Sequence, residues 1–138
     1  MNRVPEPLSP PVARCAIYTR TATTQRHAES DTSLAAQRKT AKAFIASQRH
    51  RGWLCLPDRY DDEARSGLTL DRPALKRLLA DIQDGKIDHL IVYRLDRLTR
   101  SWTDMTTLIA VCKKYGTALS SVTESLDNCP VLGLQVMR

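Results

Sequence analysis

None of the four cysteines stands in a Cys-x-x-Cys pair, so the spacing typical of a metal site is missing. The N-terminus has no apolar run that resembles a signal peptide, and no segment approaches the ~20 apolar residues of a membrane span. Internal repeats are also lacking. We therefore expect a cytoplasmic protein without a membrane segment. Cys15, Cys55 and Cys112 fall within apolar runs, and we expect them to be buried reduced thiols.

Positive charge, in contrast, is present in excess. The chain has 138 residues, with 21 Lys and Arg against 15 Asp and Glu, which gives a net charge of +6. This excess favours an anionic partner such as nucleic acid, although many globular domains are equally basic. The length suits one domain with one core. Residues 1–12 contain four prolines, and they predict a flexible leader in front of a domain at 13–138.

Strand and helix patterns alternate along that domain. Strands are predicted at 13–19, 53–57, 87–93 and 118–122, and polar loops at 20–32, 58–70 and 94–101. Helices are predicted from a Ser33 cap to about His50, from an Asp71 cap to Gly85, and from about Met105 to Gly116. This order predicts an α/β fold, a mostly parallel sheet of four or slightly more strands with helices on both faces. Ligands of such sheets bind at the carboxyl ends of the strands, where the loops at Arg20 and Asp96-Arg97 can converge.

The segment YRLDRLTR at 93–100 is the most informative for chemistry, because it places three arginines and a carboxylate in one loop. Arg97 and Arg100 are three residues apart and would share a face if a helix has begun there. The planar guanidinium group matches phosphate oxygens, and Asp96 can orient an arginine or transfer a proton. A solvated loop with local ion pairs would have the same charge pattern.

Six segments, in the same order along the chain, resemble motifs of the serine recombinases, the resolvase/invertase family. They are Tyr18-Thr19-Arg20, SLAAQ at 33–37, DEARSG at 62–67, DRPAL at 71–75, LDRLTR at 95–100 and SVTE at 121–124. The resemblance covers about 13–138 and is greatest to the large serine recombinase and phage integrase branch. It implies a resolvase-like catalytic domain.

The resemblance also implies a reaction on duplex DNA. In the family a serine attacks the scissile phosphodiester, forms a 5′-phosphoserine link and frees a 3′-hydroxyl, without a metal or another cofactor. The residues that would bind the scissile phosphate here are Arg20, Arg72, Arg97 and Arg100. Asp96 would organise them or assist proton transfer, and Gln37 would support the site. In the full-length family context, further copies of the chain in a dimer or tetramer are the second partner.

The nucleophile of the family is replaced in this chain. The family opening Tyr-x-Arg-x-Ser has its serine two residues after the arginine, and that position is Ala22. Thr21 and Thr23 carry hydroxyl groups, but neighbours on an extended segment point elsewhere. We expect no DNA cleavage by the chain as written. The alternative is a non-catalytic descendant that binds DNA or pairs with an active recombinase.

The chain ends at Arg138, where the dimerisation helix of the family would begin, and we expect an isolated catalytic core. Some residues outside the motifs are also candidates for function. Asp58, Asp61, Asp62 and Glu63 are interpreted as a solvated turn rather than as a Mg²⁺ site, His27, His50 and His89 as surface or loop residues, and Trp53 and Trp102 as packed or partly buried. A metal-dependent phosphatase or receiver-like domain would need carboxylates after the first strand, and the residues there are Thr19-Arg20-Thr21.

Overall fold

The computed structural model describes residues 12–21, 33–63 and 70–123. The elements are β1 (Ala13–Arg20), α1 (Leu34–Ser47), a 3-10 turn (Arg49–Arg51), β2 (Trp53–Cys55), β3 (Tyr60–Asp62), α2 (Pro73–Gln83), β4 (His89–Val92), α3 (Leu95–Leu98), α4 (Trp102–Lys114) and β5 (Ala118–Ser121). The proposed leader, apart from Val12, lies outside the described residues, so the boundary after residue 12 stays a prediction. Ala22, His27 and Cys129 also lie outside the described residues.

The strands form one sheet in the order β2-β1-β4-β5, and β3 pairs with β1 as well. All of these pairings are parallel. The start of β1 pairs with β2 and its end pairs with β3, so the two short strands share one edge of β1. The prediction of a mostly parallel α/β sheet is confirmed. Strand β3 is additional to the four predicted strands and lies in the 58–70 stretch that we had interpreted as a loop.

Alternate side chains of the central strands face opposite layers of helices. Cys15 and Ile17 of β1 pack with Ala41 and Ile45 of α1 on one face. On the other face, the neighbouring side chains of β1 join the core formed with α2 and α4. Helices on both faces are thereby confirmed. Cys15 and Cys112 are buried free thiols, as expected, whereas Cys55 is only half-buried.

The amino end of helix α2 is capped by a side chain of strand β3. Asp71 was expected as the cap, but the cap position is Arg72, which makes no side-chain cap hydrogen bond. Instead, the carboxylate of Asp62 accepts from the backbone N–H of Ala74 at 2.9 Å and of Leu75 at 3.0 Å. The prediction that Asp71 caps this helix is therefore wrong. The carboxylate of Asp71 is exposed and pairs with Lys76.

The other helix ends follow the sequence more closely. Ser33 caps α1 by accepting from the Ala36 N–H at 3.1 Å. Gly85 and Gly116 follow α2 and α4 with φ of +76° each, a left-handed conformation that glycine adopts without strain. Helix α4 starts at Trp102, directly after the predicted loop at 94–101, and Trp102 is 60% exposed rather than packed in the core. Within the described ranges, no helix combines the length and the apolarity of a bilayer span.

His89 lies in the core rather than at the surface, so its interpretation was wrong. It is 2% exposed, and its ring centroid lies 4.3 Å from that of Trp53, whose predicted packing is confirmed. A ring nitrogen lies 2.7 Å from Ser120 Oγ. Burial lowers the pKa of His89 to about 4, helped by the charge of Arg51 and opposed by Asp88. The imidazole is therefore neutral in the fold at neutral pH.

We expect Asp62→Ala to lower the free energy of unfolding by about 2 to 4 kcal/mol, because it removes the acceptor from buried donors in α2 and β1. Urea denaturation measures this difference. Asp71→Ala is the control, since its ion pair with Lys76 is exposed and such pairs contribute about 0–1 kcal/mol. Equal losses in both variants would contradict the capping role of Asp62.

Protonation of His89 should also make the fold sensitive to acid. Its folded pKa of about 4 lies below the ordinary value of 6.5, so the unfolded chain binds more protons between these values. Stability present above pH 6.5 is then lost as the pH falls towards 4, by at most about 1.4 kcal/mol per pH unit. Urea denaturation of His89→Gln should show a shallower pH dependence than the parent chain. His50→Gln, at an exposed position, should retain the parent's dependence.

Candidate functional site

The carboxyl ends of β1, β3 and β4 meet at one edge of the sheet. Arg20 ends β1, Asp62 ends β3, and α3 begins at Leu95, three residues after the end of β4 at Val92. Because the strands are parallel, the loops that follow them leave from the same edge. A cavity of about 460 Å³ with a mostly apolar lining lies at the opposite edge of the sheet, beside the starts of β1 and β2. The polar side chains therefore gather at the carboxyl edge.

Arg20 joins the end of β1 to the loop after β4. Its Nε donates to the carbonyl of Arg97 at 3.0 Å, and its Nη2 donates to the carbonyl of Asp96. The backbone of Arg20 is held by the buried amide of Gln37, which donates to its carbonyl at 2.9 Å and accepts from its N–H at 3.3 Å. The structure thus brings together Arg20, Gln37 and Arg97 from three different elements.

Arg72 is completely buried behind this group. Its Nη1 donates to the hydroxyl of Tyr18 at 2.9 Å, and its guanidinium carbon lies 5.6 Å from the centroid of the same ring. The Tyr18 hydroxyl in turn donates to Asp62 at 2.7 Å. Burial raises the pKa of Tyr18 well above its usual value, so the hydroxyl stays a neutral donor. A chain of hydrogen bonds therefore sets the position of Arg72.

Arg97 and Arg100 form the outer part of the site. The Arg97 side chain is 12% exposed, and Arg100 is an exposed residue. Helix α3 ends at Leu98, before Arg100. The condition under which Arg97 and Arg100 would share a helix face is therefore not met. Asp96 pairs with Arg94 at 2.9 Å and with Arg97 at 3.4 Å, which orients the arginine side chains beside it.

Like charges concentrate at this edge. The pKa of Arg20 is lowered to about 10, first by burial and then by the positive charges of Arg72, Arg97 and Arg100. Arg20 is still protonated at neutral pH, so four guanidinium cations lie near one another. Mutual repulsion disfavours such a group in isolation, while the same field attracts an anion. The arrangement is suited to holding an oxyanion such as a phosphate.

The acidic residues after β2 support the fold rather than form a separate cluster. Asp61 accepts from the hydroxyl of Thr19 and pairs with Arg59 at 2.9 Å. Asp62 is 3% exposed, so its interpretation as part of a solvated turn was wrong. Across residues 12–21, 33–63 and 70–123, no group of three or more His, Cys, Asp or Glu side chains is arranged to hold a metal.

Two supporting residues, Tyr18 and Asp62, received no role from the sequence. One signal was available for Asp62: Pro73 at the start of α2 puts Arg72 at the cap, and an arginine side chain cannot accept a hydrogen bond. The acceptor therefore had to come from elsewhere in the chain. Thr21 follows the path of β1, since its N–H donates to the carbonyl of Asp62 at 3.1 Å. Ala22, the next residue, is outside the described part.

Comparisons with known proteins agree on one family. The family model described as "Resolvase, N terminal domain" matches residues 15–132. The chain is 38% identical over 72 residues to "Serine recombinase gin" of Escherichia phage Mu, and 37% identical over 76 residues to "DNA-invertase hin" of Salmonella typhimurium. These segments are 52% and 55% of this chain but only 36% and 39% of the relatives, so the chain spans well under half of their length.

The fold has matches among solved structures. The N-terminal catalytic domain of TP901-1 integrase superposes with a TM-score of 0.71 at 32% identity, over 87% of this chain and 88% of that one. A resolvase family site-specific recombinase from Streptococcus pneumoniae gives a TM-score of 0.67 at 25% identity, over 88% and 83% of the two chains.

Proposed function

The chain belongs to the serine recombinase family, in its resolvase N-terminal domain, and we propose that it is the catalytic domain of a site-specific DNA recombinase that acts on duplex DNA. The observation that carries the proposal is the group of four arginines at the carboxyl edge of the sheet, of which Arg20, Arg72 and Arg97 are held by hydrogen bonds. Phosphoryl transfer requires positioning and cationic stabilisation of the phosphate more than covalent machinery. This edge supplies both.

The four arginines divide into an inner and an outer pair. Arg20 and Arg72 are 1% and 0% exposed; Arg20 donates to carbonyls of the loop after β4, and Nη1 of Arg72 donates to the Tyr18 hydroxyl. We assign them to the positive field behind the phosphate and to the support of the loops. Arg97 and Arg100 are the pair that a DNA phosphate reaches from outside. Asp96, which pairs with Arg97, is a positioning residue in this scheme.

Ala22 sets the limit of this chemistry. An alanine methyl group cannot attack phosphorus, so the arginines can bind the scissile phosphate but no covalent link forms. The chain as written is then an inactive recombinase domain. The same residue also favours a second candidate function, a non-catalytic DNA-binding protein or a partner of an active recombinase. In the full-length family context, further copies of the chain in a dimer or tetramer would be its second partner beside DNA.

We expect the chain to bind duplex DNA weakly and with strong salt dependence, because its contacts are to phosphates. Replacing Arg97 and Arg100 together by Gln should reduce the slope of log K against log salt by about 1 to 2, at about 0.9 per lost phosphate contact. Fluorescence titration of a labelled duplex at several salt concentrations measures this slope. Lys113→Gln with Lys114→Gln is the matched control, since both lysines lie at the exposed end of α4. Strongly sequence-specific binding by the parent chain would oppose the proposal.

The unmodified chain should form no covalent adduct with DNA, because a missing serine nucleophile costs on the order of 10⁶ in rate in a well-studied protease. Ala22→Ser adds one oxygen and should restore adduct formation. The variant is made in a version extended with a homologous C-terminal region, and a labelled duplex that carries the cognate crossover site is analysed on denaturing gels.

The two candidate functions predict different gels. An adduct with the extended Ala22→Ser protein, absent from the extended Ala22 protein, supports an inactive recombinase that has lost one atom. No adduct with either protein supports the non-catalytic descendant. An adduct with the Ala22 protein would contradict both, and would point to Thr21 or Thr23 as the nucleophile.

A further inference from the structure

Helix α1 has an unusual charge distribution. Its 14 residues include Arg38, Lys39 and Lys42, and none is a carboxylate. Arg38 and Lys42 are four residues apart and Lys39 and Lys42 three apart, so these like charges are neighbours on the helix surface. Their mutual repulsion opposes helix stability slightly, and a bound anion would offset it.

These cations line a cavity outside the arginine site. The cavity has a volume of about 350 Å³, and its lining residues are Ala35, Arg38, Lys39, Lys42 and Arg59. Arg38 is only 8% exposed, and its Nη1 is buried with no hydrogen-bond partner among the described residues. Burial of an unpaired guanidinium donor is costly, and an oxyanion would supply the acceptor.

None of the residues that line the cavity is a carboxylate. Arg59 pairs with Asp61 at 2.9 Å, and its neighbour Asp58 is exposed, so part of the positive charge is balanced at this end. The backbone carbonyl of Arg59 also accepts from Arg77, an exposed residue that brings a further positive charge to this face. The charged residues that line the cavity are therefore all cations.

The cavity lies beside the proposed catalytic edge but is separate from it. Arg38 follows Gln37, whose amide holds the backbone of Arg20, so the two groups of cations adjoin each other through α1. None of the four arginines of the site lines the cavity. A duplex that meets the site at one phosphate has further backbone phosphates within reach on either side.

We propose that this cavity is a second phosphate-binding site, and that it takes a backbone phosphate of the duplex whose scissile phosphate lies at the arginine site. The inference rests on the proposed function for the identity of the ligand, DNA, but not for its chemistry, a phosphate anion. Lys39, Lys42 and Arg59 supply charge from the rim, and Arg38 supplies buried donors. A contact of this kind aligns the duplex without reading its sequence.

The first test uses the double variant Lys39→Gln with Lys42→Gln in the full 138-residue chain. Both side chains are exposed, and glutamine is as good a helix former as lysine, so the fold should be kept. One lost phosphate contact should reduce the slope of log K against log salt by about 0.9 and weaken duplex binding at 0.1 M salt roughly fivefold to tenfold. The control, Lys113→Gln with Lys114→Gln, removes the same charge at the opposite edge and should change the affinity by less than about twofold.

The second test uses inorganic phosphate alone and does not depend on DNA. Backbone amide NMR signals of the 35–42 segment and of Arg59 should shift on titration, and the shifts should be lost in the double lysine variant. Arg38→Gln provides a second variant, which should reduce the shifts even if the affinity for DNA changes little.

The outcomes separate this inference from the proposed function. A double lysine variant that binds the duplex more weakly with a smaller salt slope, and that also lacks the phosphate-induced NMR shifts, supports a DNA phosphate site. Phosphate shifts without any effect on DNA binding would overturn the DNA assignment and leave a site for a free anion. Normal DNA binding by the lysine variant, impaired binding by the Arg97 and Arg100 variant, and no phosphate shifts would overturn the second site alone. No DNA binding by the parent chain would refute the proposed function and the DNA assignment together.

Discussion

The carboxylate of Asp62 is the interaction on which the arginine site depends. It accepts from the hydroxyl of Tyr18 in β1 and from two N–H groups at the start of α2. The same tyrosine hydroxyl accepts from Arg72. One buried side chain thereby links the central strand, the edge strand and the helix that begins directly after Arg72. Loss of this carboxylate would disturb the site as well as the stability of the fold.

The electrostatic design combines buried and accessible cations. Burial and like charge lower the pKa of Arg20, and its guanidinium donates to the carbonyls of the loop after β4. Arg20 therefore holds the loop backbone in place, and Arg72, bonded to the Tyr18 hydroxyl, adds to the positive field behind it. In the proposed function, Arg97 and the exposed Arg100 are the pair that exchanges water for phosphate. Binding of the anion would then offset the energetic cost of the clustered cations.

Local patterns predicted the elements that bury an apolar stripe or an apolar run. The helix at 73–83 was found because its hydrophobic period is regular, and the strand at 89–92 because it lies in a short apolar run. The strand Tyr60–Asp62 was missed, since three residues with two carboxylates have no such period, and its pairing with β1 stabilises it. His89 was misjudged for a related reason: burial beside Trp53 depends on which strands are neighbours, and composition does not reveal that.

The sequence by itself determined the alternating α/β order, the family motifs and the alanine at position 22, because each of these is a property of neighbouring residues. Only the tertiary structure decided that Asp62 caps a distant helix and that Arg20 and Arg72 are buried while Arg97 remains within reach. It also brought the cations of α1 together with Arg59 in one cavity. The physical reason is that burial and long-range hydrogen bonds arise from the packing of segments far apart in the chain.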